Sequence, residues 1–219
     1  MPIKAAFYVD GFNLYHAIED LGQHHLKWLD LRKLAQTMIP ARSEELVRVV
    51  YCTAVKTHDK DKMLRHRAYL KALGAVGVDC LEGHFAFEDR HCSECGHAWK
   101  SPSEKQSDVN LAIGLIDDAH RSVFDHAYLV TADGDQAATV RLFIKRFSDK
   151  RITTVSPPLR SHNRMILEHA HDKIALNYHH IERILFPRAV LNTDGSVAAI
   201  RLSLYDPPPG WVTPEQRPR

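Results

Sequence analysis

The stretch Phe7-Tyr8-Val9-Asp10-Gly11-Phe12-Asn13 lies near the start of the 219-residue chain and organises the rest of it. The apolar run from Ala5 to Val9 predicts a fully buried strand, because a strand covered on both faces loses its polar alternation. We expect Asn13 to cap a helix that begins at Leu14. In an open α/β sheet, ligands bind beyond the carboxyl ends of the strands, so Asp10 is placed for chemistry.

Outward from this stretch, predicted strands alternate with predicted helices, which favours an α/β fold with a parallel sheet wound on both faces. The other predicted strands are 46–53, 76–81 with an extension to 85 left open, 126–131, 151–156 and a last short one within 172–175. The predicted helices are 14–21, 30–38, 60–73, 108–120, 137–147 and two pieces within 161–185. We expect a main domain over 1–186 with an irregular, cysteine-containing insert at 84–104, and a C-terminal extension over 187–219 that carries a hairpin.

Composition indicates an ordinary globular protein, with 44% hydrophobic and 26% charged residues. No apolar run approaches the roughly 20 residues that a membrane-spanning helix needs. We expect no signal peptide, because the first residues read directly into a predicted strand, and no disulfide framework from four cysteines. These features predict a cytoplasmic protein with no membrane partner.

The net charge is only +2, but two stretches are locally basic. Residues 56–71 hold six basic and two acidic side chains, and residues 141–151 hold five and one, so each stretch carries +4. Both follow predicted strands, and we expect them to flank one crevice and contact phosphates. The alternative is that both are solvated helix faces.

Four aspartates stand at predicted strand or helix ends, namely Asp10, Asp108, Asp133 and Asp135. Singly, each has an ordinary explanation as a helix cap or an Asx turn. Together, clustered carboxylates repel one another unless a cation lies among them, and oxygen ligands favour Mg²⁺ or Mn²⁺. Such ions activate water for phosphodiester hydrolysis, so the pattern indicates a metal-dependent nuclease.

Three blocks of the chain, 9–13, 104–112 and 129–135, resemble the signature blocks of the NYN-domain family. This family is a branch of the PIN-like ribonucleases and includes the LabA-like proteins. The resemblance implies a Rossmann-like, three-layer fold with strand order 3-2-1-4-5, Mg²⁺ or Mn²⁺, and RNA as substrate. It matches Asp10, Asp108 and Asp133 to the metal-binding acids, with Asp135 as the fourth. It also matches Asn13 to the motif asparagine and Thr131 to the hydroxyl residue that holds the first acid.

The sequence departs from the family pattern at Gly114, where many members carry another acid. The nearest acids are Asp117 and Asp118. One-metal and two-metal mechanisms are therefore both open.

The segment His91-Cys92-Ser93-Glu94-Cys95-Gly96-His97 contains a C-x2-C knuckle, which is half of a structural zinc site. The candidates for its remaining ligands are His97, His91, His84 and Cys80. A reduced surface pair and a redox disulfide are the alternatives.

Two functions follow from these patterns. The first is an endoribonuclease whose metal is bound by Asp10, Asp108 and Asp133, assisted by Asp135, with Lys105 and the basic stretches holding the RNA backbone. The second is a regulatory module that binds nucleic acid or a nucleotide on the same fold without efficient hydrolysis.

Overall fold

Seven strands form one sheet in the computed structural model of the chain, which describes residues 2–217. Its order is β4-β3-β2-β1-β5-β6-β7, and every neighbouring pair is parallel except β3 and β4. The strands are β1 Ile3–Asp10, β2 Glu44–Ala54, β3 Asp79–His91, β4 Ala98–Lys105, β5 His126–Val130, β6 Arg151–Ser156 and β7 Asp172–Ala175. The predicted α/β class is confirmed, with β4 and β7 added outside the five strands of the predicted order.

The first strand is buried on both faces, as its apolar run predicts. Ala5, Phe7 and Val9 face one hydrophobic core, and Ala6 and Tyr8 face the other. This division follows from the two-residue period of side chains along a strand.

Helices cover both faces of the sheet and complete a three-layer arrangement. Helices α1 and α3 contribute to the core that contains Phe7, whereas α4 and α5 contribute to the core that contains Tyr8. The helices are α1 Gly11–Glu19, α2 Leu31–Met38, α3 Lys60–Ala75, α4 Ser107–His120, α5 Ala137–Arg146, α6 Arg164–Leu167 and α7 Tyr178–Glu182. No helix among residues 2–217 has the length and apolar character to cross a membrane.

The prediction of an irregular insert at 84–104 was wrong. Strand β3 continues to His91 and pairs with β4 as an antiparallel hairpin, with His84 opposite Lys105 and His91 opposite Ala98. Apolar residues alternate along β3 only through Leu81, Phe85 and Phe87, and the exposed outer part of the hairpin carries no such pattern. Pro102 lies in β4, at the edge of the sheet where proline is tolerated.

The segment after α7 packs onto the main body. Strands β8 Ala189–Leu191 and β9 Val197–Ile200 form a separate hairpin, followed by a 3-10 turn at Ser203–Tyr205. Val190, Ala199 and Tyr205 are buried in the same core as Phe7. Residue 1 of the predicted main domain and residues 218–219 of the predicted extension lie outside the described part of the chain.

Candidate metal centre

Three aspartates from three different elements meet at the carboxyl edge of the sheet. Asp10 ends β1, Asp108 lies in the first turn of α4, and Asp133 follows β5. One carboxylate oxygen from each lies within 4.8 Å of the others. Within residues 2–217, no other group of three or more acidic, histidine or cysteine side chains comes this close. The strand order explains the meeting, because β1 and β5 are neighbours on either side of the switch point.

Asp10 is buried, and both of its oxygens are held by the protein. Oδ1 accepts a hydrogen bond from the backbone N–H of Asn13 at 3.0 Å, and Oδ2 accepts one from the Thr131 hydroxyl at 2.9 Å. Asp10, not Asn13, therefore caps α1, which begins at Gly11 instead of the predicted Leu14. The Asn13 side chain instead accepts the N–H of Ala132 at 3.0 Å and ties α1 to the loop after β5.

The loop after β5 is held by short-range hydrogen bonds. The Thr131 hydroxyl accepts the N–H of Asp133 at 3.0 Å, and Oδ1 of Asp133 accepts the N–H of Asp135 at 3.0 Å. Asp135 is exposed and lies outside the three-aspartate group. Its charge adds to the rise in the pKa of Asp108, and its backbone N–H holds the Asp133 carboxylate.

The tight connection between β4 and α4 positions Asp108 beside the other two aspartates. Gln106 occupies the N-cap position of α4 and has a left-handed backbone conformation, with φ of 79°. Asp108 lies inside the first turn, so the alternative that it serves only as a helix cap is wrong. The N–H of Ser107 donates to Glu104 Oε1 at 2.9 Å, and the Gln136 side chain donates to the Asp108 carbonyl at 3.2 Å. A left-handed conformation is uncommon for glutamine and marks a backbone position that the surroundings enforce.

The clustered charges disturb the protonation of the acids. Burial raises the pKa of Asp108 to about 6, and the carboxylates of Asp10 and Asp133 add to the rise, followed by Glu104 and Asp135. Burial also raises the pKa of Asp10, against the opposing effect of its bonds from Asn13 and Thr131. A cation among these oxygens would remove the repulsion, which is the electrostatic condition for a metal site.

The aspartates line an open cleft of about 230 Å³, which also contains residues that the sequence did not single out. His16 lies one turn beyond Phe12 on α1. Arg160 follows the end of β6, and ligands bind beyond such strand ends, so the sequence could have pointed to it. Its guanidinium group is paired with Asp20. The lining residues are Asp10, Phe12, Asn13, His16, Glu104, Asp108, Asp133 and Arg160.

The basic residues expected to hold RNA are not all near this cleft. Lys105 pairs with Glu88 within the hairpin. No residue of the stretch 141–151 lines the cleft, and its last residue, Arg151, begins β6 at the opposite edge of the sheet, beside His126. The stretch 56–71 does follow the carboxyl end of β2, and part of it lines a second cavity beside the cleft.

Neither acid near Gly114 joins the aspartates. Asp118 accepts hydrogen bonds from Tyr8 at 2.6 Å and Arg48 at 3.0 Å, and Asp117 lies 3.5 Å from Arg121. An added Cβ at Gly114 would meet Leu81 at 3.6 Å, an ordinary contact. The glycine is therefore not required by crowding.

Cys92 and Cys95 lie at the tip of the hairpin. Bonds from the backbone N–H groups of Cys95 and Glu94 lower the pKa of the Cys92 thiol. Cys80 and His84 are excluded as partners, because β3 is continuous from them to His91 and rises about 3.3 Å per residue, which separates even His84 from the tip by roughly 20 Å.

His97 stacks on Trp99 with ring centroids 6.0 Å apart. No third metal-ligating side chain from residues 2–217 closes on both cysteines to form a compact group.

The fold and the aspartates together define a class, an α/β protein with a candidate divalent-cation centre at its switch point. No protein-family model matches the chain. The 6-hydroxy-3-succinoylpyridine 3-monooxygenase HspA of Pseudomonas putida is 28% identical over 210 residues, covering 78% of this chain. The chain spans 66% of that relative's length.

A solved structure supports the fold independently. A protein of unknown function from Vibrio parahaemolyticus matches with a TM-score of 0.52 at 21% identity. The match covers 81% of this chain and 94% of the other.

Proposed function

We propose that the protein is a divalent-metal-dependent endoribonuclease. The observation that carries this proposal is the approach of Asp10, Asp108 and Asp133 oxygens to within 4.8 Å at the carboxyl edge of a parallel sheet. Their oxygen-only chemistry fits Mg²⁺ or Mn²⁺, and the raised pKa of Asp108 fits a site whose charge a cation balances. The resemblance of the surrounding sequence blocks to NYN-domain ribonucleases supports the same reaction.

Each residue of the cleft has a distinct task in this proposal. Asp10, Asp108 and Asp133 would hold the metal, with Asp135 assisting directly or through water. A divalent ion held by these residues would polarise a phosphoryl oxygen as a Lewis acid and lower the pKa of a water. Arg160 offers a guanidinium group to the phosphate, and His16 offers an imidazole that can accept or donate a proton.

A cleavage assay tests the proposal. Labelled RNA is incubated with Mn²⁺ and with wild-type protein, Asp10→Asn or Asp117→Asn. Asp117 is the matched control, since it is an exposed acid of α4 paired with Arg121 outside the cleft. We expect cleavage by the wild type and Asp117→Asn and its loss in Asp10→Asn. Equal cleavage by all three would overturn the proposal.

A module that binds without hydrolysis is the second candidate, and Gly114 favours it. Gly114 has no carboxylate, and Asp117 and Asp118 pair with residues outside the cleft. Helix α4 therefore adds no acid other than Asp108 to the three-aspartate group. Titration calorimetry with Mn²⁺ separates the two functions. Failure of the wild type to bind the metal would favour the module.

The named relative is a monooxygenase, which raises oxygenation as a third reaction class. The sequence of the turn after β1 does not match that of a dinucleotide-binding turn. It contains Asp10 and the single glycine Gly11 where a G-x-G-x-x-G fingerprint would surround a pyrophosphate. Oxygen uptake with a reduced nicotinamide, by protein that leaves RNA intact, would favour the oxygenase.

A further inference from the structure

A second cavity, of about 160 Å³, lies beside the aspartate cleft. It is bounded by α1, the end of β2 and the first turns of α3, and Tyr205 of the C-terminal segment contributes to its wall. Phe12 and His16 line both the cavity and the cleft, so the two spaces are neighbours. Its lining includes five aromatic rings, namely Phe12, Tyr15, Tyr51, Tyr69 and Tyr205.

The aromatic walls are held in place by the surrounding protein. The rings of Tyr51 and Tyr69 meet edge to face with centroids 5.9 Å apart, and the Tyr69 hydroxyl donates to the Leu29 carbonyl at 2.8 Å. The Lys27 ammonium lies 4.4 Å from the Tyr15 ring centroid. Fixed rings favour binding of a planar ligand, because little side-chain entropy is lost when it enters.

The charges around the cavity favour an anion. Buried Lys27 is already bonded to Glu19 at 2.8 Å and to the Tyr15 hydroxyl at 3.1 Å. Lys56 and Arg65 also line the cavity, and neither has a carboxylate oxygen of the described residues within 4.0 Å of its charged nitrogens. The Lys56 ammonium lies 5.6 Å from the Phe85 ring centroid. Two cations without a carboxylate partner beside an aromatic pocket are suited to a ring that carries a phosphate.

The cavity also has a neutral polar group. His66 lies 3.2 Å from the Thr53 hydroxyl, and burial, with a smaller effect of Arg67, lowers the pKa of His66 to about 4. At neutral pH the imidazole is therefore uncharged, with one donor and one acceptor nitrogen. Such a group can hydrogen-bond the polar edge of a heterocycle.

We propose that this cavity is a pyrimidine-nucleotide subsite, in which the base lies between the aromatic walls and a phosphate contacts Lys56 and Arg65. Size favours a single ring, since a cavity of about 150 Å³ holds benzene. A drug-sized ligand needs about 300 Å³ or more. The shared wall formed by Phe12 and His16 places the neighbouring phosphodiester at the aspartates. The assignment of this nucleotide to an RNA substrate rests on the proposed ribonuclease function.

Titration calorimetry in EDTA tests the subsite without metal or turnover. The probes are UMP, CMP, AMP and nicotinate, a pyridine that carries a carboxylate. We expect UMP and CMP to bind more tightly than AMP and nicotinate. The double variant Lys56→Gln/Arg65→Gln should weaken UMP binding roughly tenfold or more, because it removes two charge-assisted contacts. Lys60→Gln is the matched control, since Lys60 begins the same helix, is exposed and does not line the cavity.

Crystals soaked with 5-iodo-UMP locate the ligand directly. Iodine density inside the cavity lined by Phe12, Tyr51 and Tyr205 is expected, and density only elsewhere would overturn the subsite. Tighter binding of AMP would refute the single-ring assignment, and binding of nicotinate without UMP would refute the nucleotide.

The two proposals fail separately. RNA cleavage by protein that binds no mononucleotide would overturn the subsite and leave the ribonuclease standing. UMP binding by protein that cleaves no RNA would overturn the ribonuclease and leave the nucleotide site.

Discussion

The Thr131 hydroxyl donates a 2.9 Å hydrogen bond to Oδ2 of Asp10, joining residues 121 positions apart in the chain. Both side chains are buried, at 1% and 4% exposure. The same hydroxyl accepts the N–H of Asp133 at 3.0 Å. One threonine thus orients two of the three clustered acids, and a change there should affect both folding and metal binding.

We predict that Thr131→Val lowers the free energy of unfolding by about 1–3 kcal/mol, because the buried Asp10 oxygen and Asp133 N–H both lose a partner. Affinity for Mn²⁺ should fall as well. Urea unfolding and titration calorimetry measure the two effects. Thr131→Ser keeps the hydroxyl and serves as the control. A valine variant that matches the serine variant in both measurements would contradict the prediction.

The core of the fold could be predicted because its signals are local. The run from Ala5 to Val9 is apolar at every position and short, which favours a strand buried on both faces. The hairpin of β3 and β4 could not be predicted in this way. Its outer part is exposed beyond the alternating Leu81, Phe85 and Phe87, so the pairing there is set by backbone hydrogen bonds, and no side-chain periodicity marks β4.

The candidate site was predictable to a similar extent. Strand ends pointed to Asp10 and Asp133, since parallel strands bring their carboxyl ends together. His16 could not be found, because its approach to the cleft depends on how α1 packs. Arg160 follows the end of β6 and could have been found by the same reasoning as the aspartates. The basic stretch 141–151 was misjudged because α5 leads away from the cleft toward the opposite edge of the sheet.

The raised pKa of Asp108 predicts that the folding stability of the metal-free protein depends on pH. Its ordinary value is 3.8 and its folded value is about 6, so the native state binds more protons between these limits. Stability from this group therefore falls as the pH rises from about 4 to 6 and is constant above that window.

The check is urea unfolding of wild-type protein and Asp108→Asn in EDTA at several pH values. The stability of the variant relative to the wild type should increase from pH 4 to pH 6. A stability difference between the two proteins that does not change with pH would refute the raised pKa of Asp108. The difference cancels the titration of carboxylates outside the cluster, such as Glu19, whose pKa is lowered by its bond to Lys27.

A bound divalent cation should stabilise the fold through the same acids. At free Mn²⁺ of 100 times Kd, the gain is about 2.7 kcal/mol, or roughly 5–10 °C in Tm for a chain of this size. We expect Asp133→Asn to lose most of this shift and Asp117→Asn to keep it. Thermal unfolding with and without Mn²⁺ at pH 7.5 measures the shift. Equal shifts in both variants would place the ion elsewhere.

Gly11 is required by the close approach of α1 to β2. A Cβ at this position would lie 2.5 Å from the Cys52 carbonyl oxygen and 2.8 Å from the Tyr51 ring. Gly11→Ala should therefore lower the free energy of unfolding by about 1–3 kcal/mol, as overpacking does. Gly74 is the matched control, since it lies within α3 and a Cβ there meets nothing within 4 Å. Gly74→Ala should raise stability by about 0.5–1 kcal/mol through helix propensity. Urea unfolding of the two variants measures both changes, and equal effects would show that the backbone at Gly11 can move away from β2.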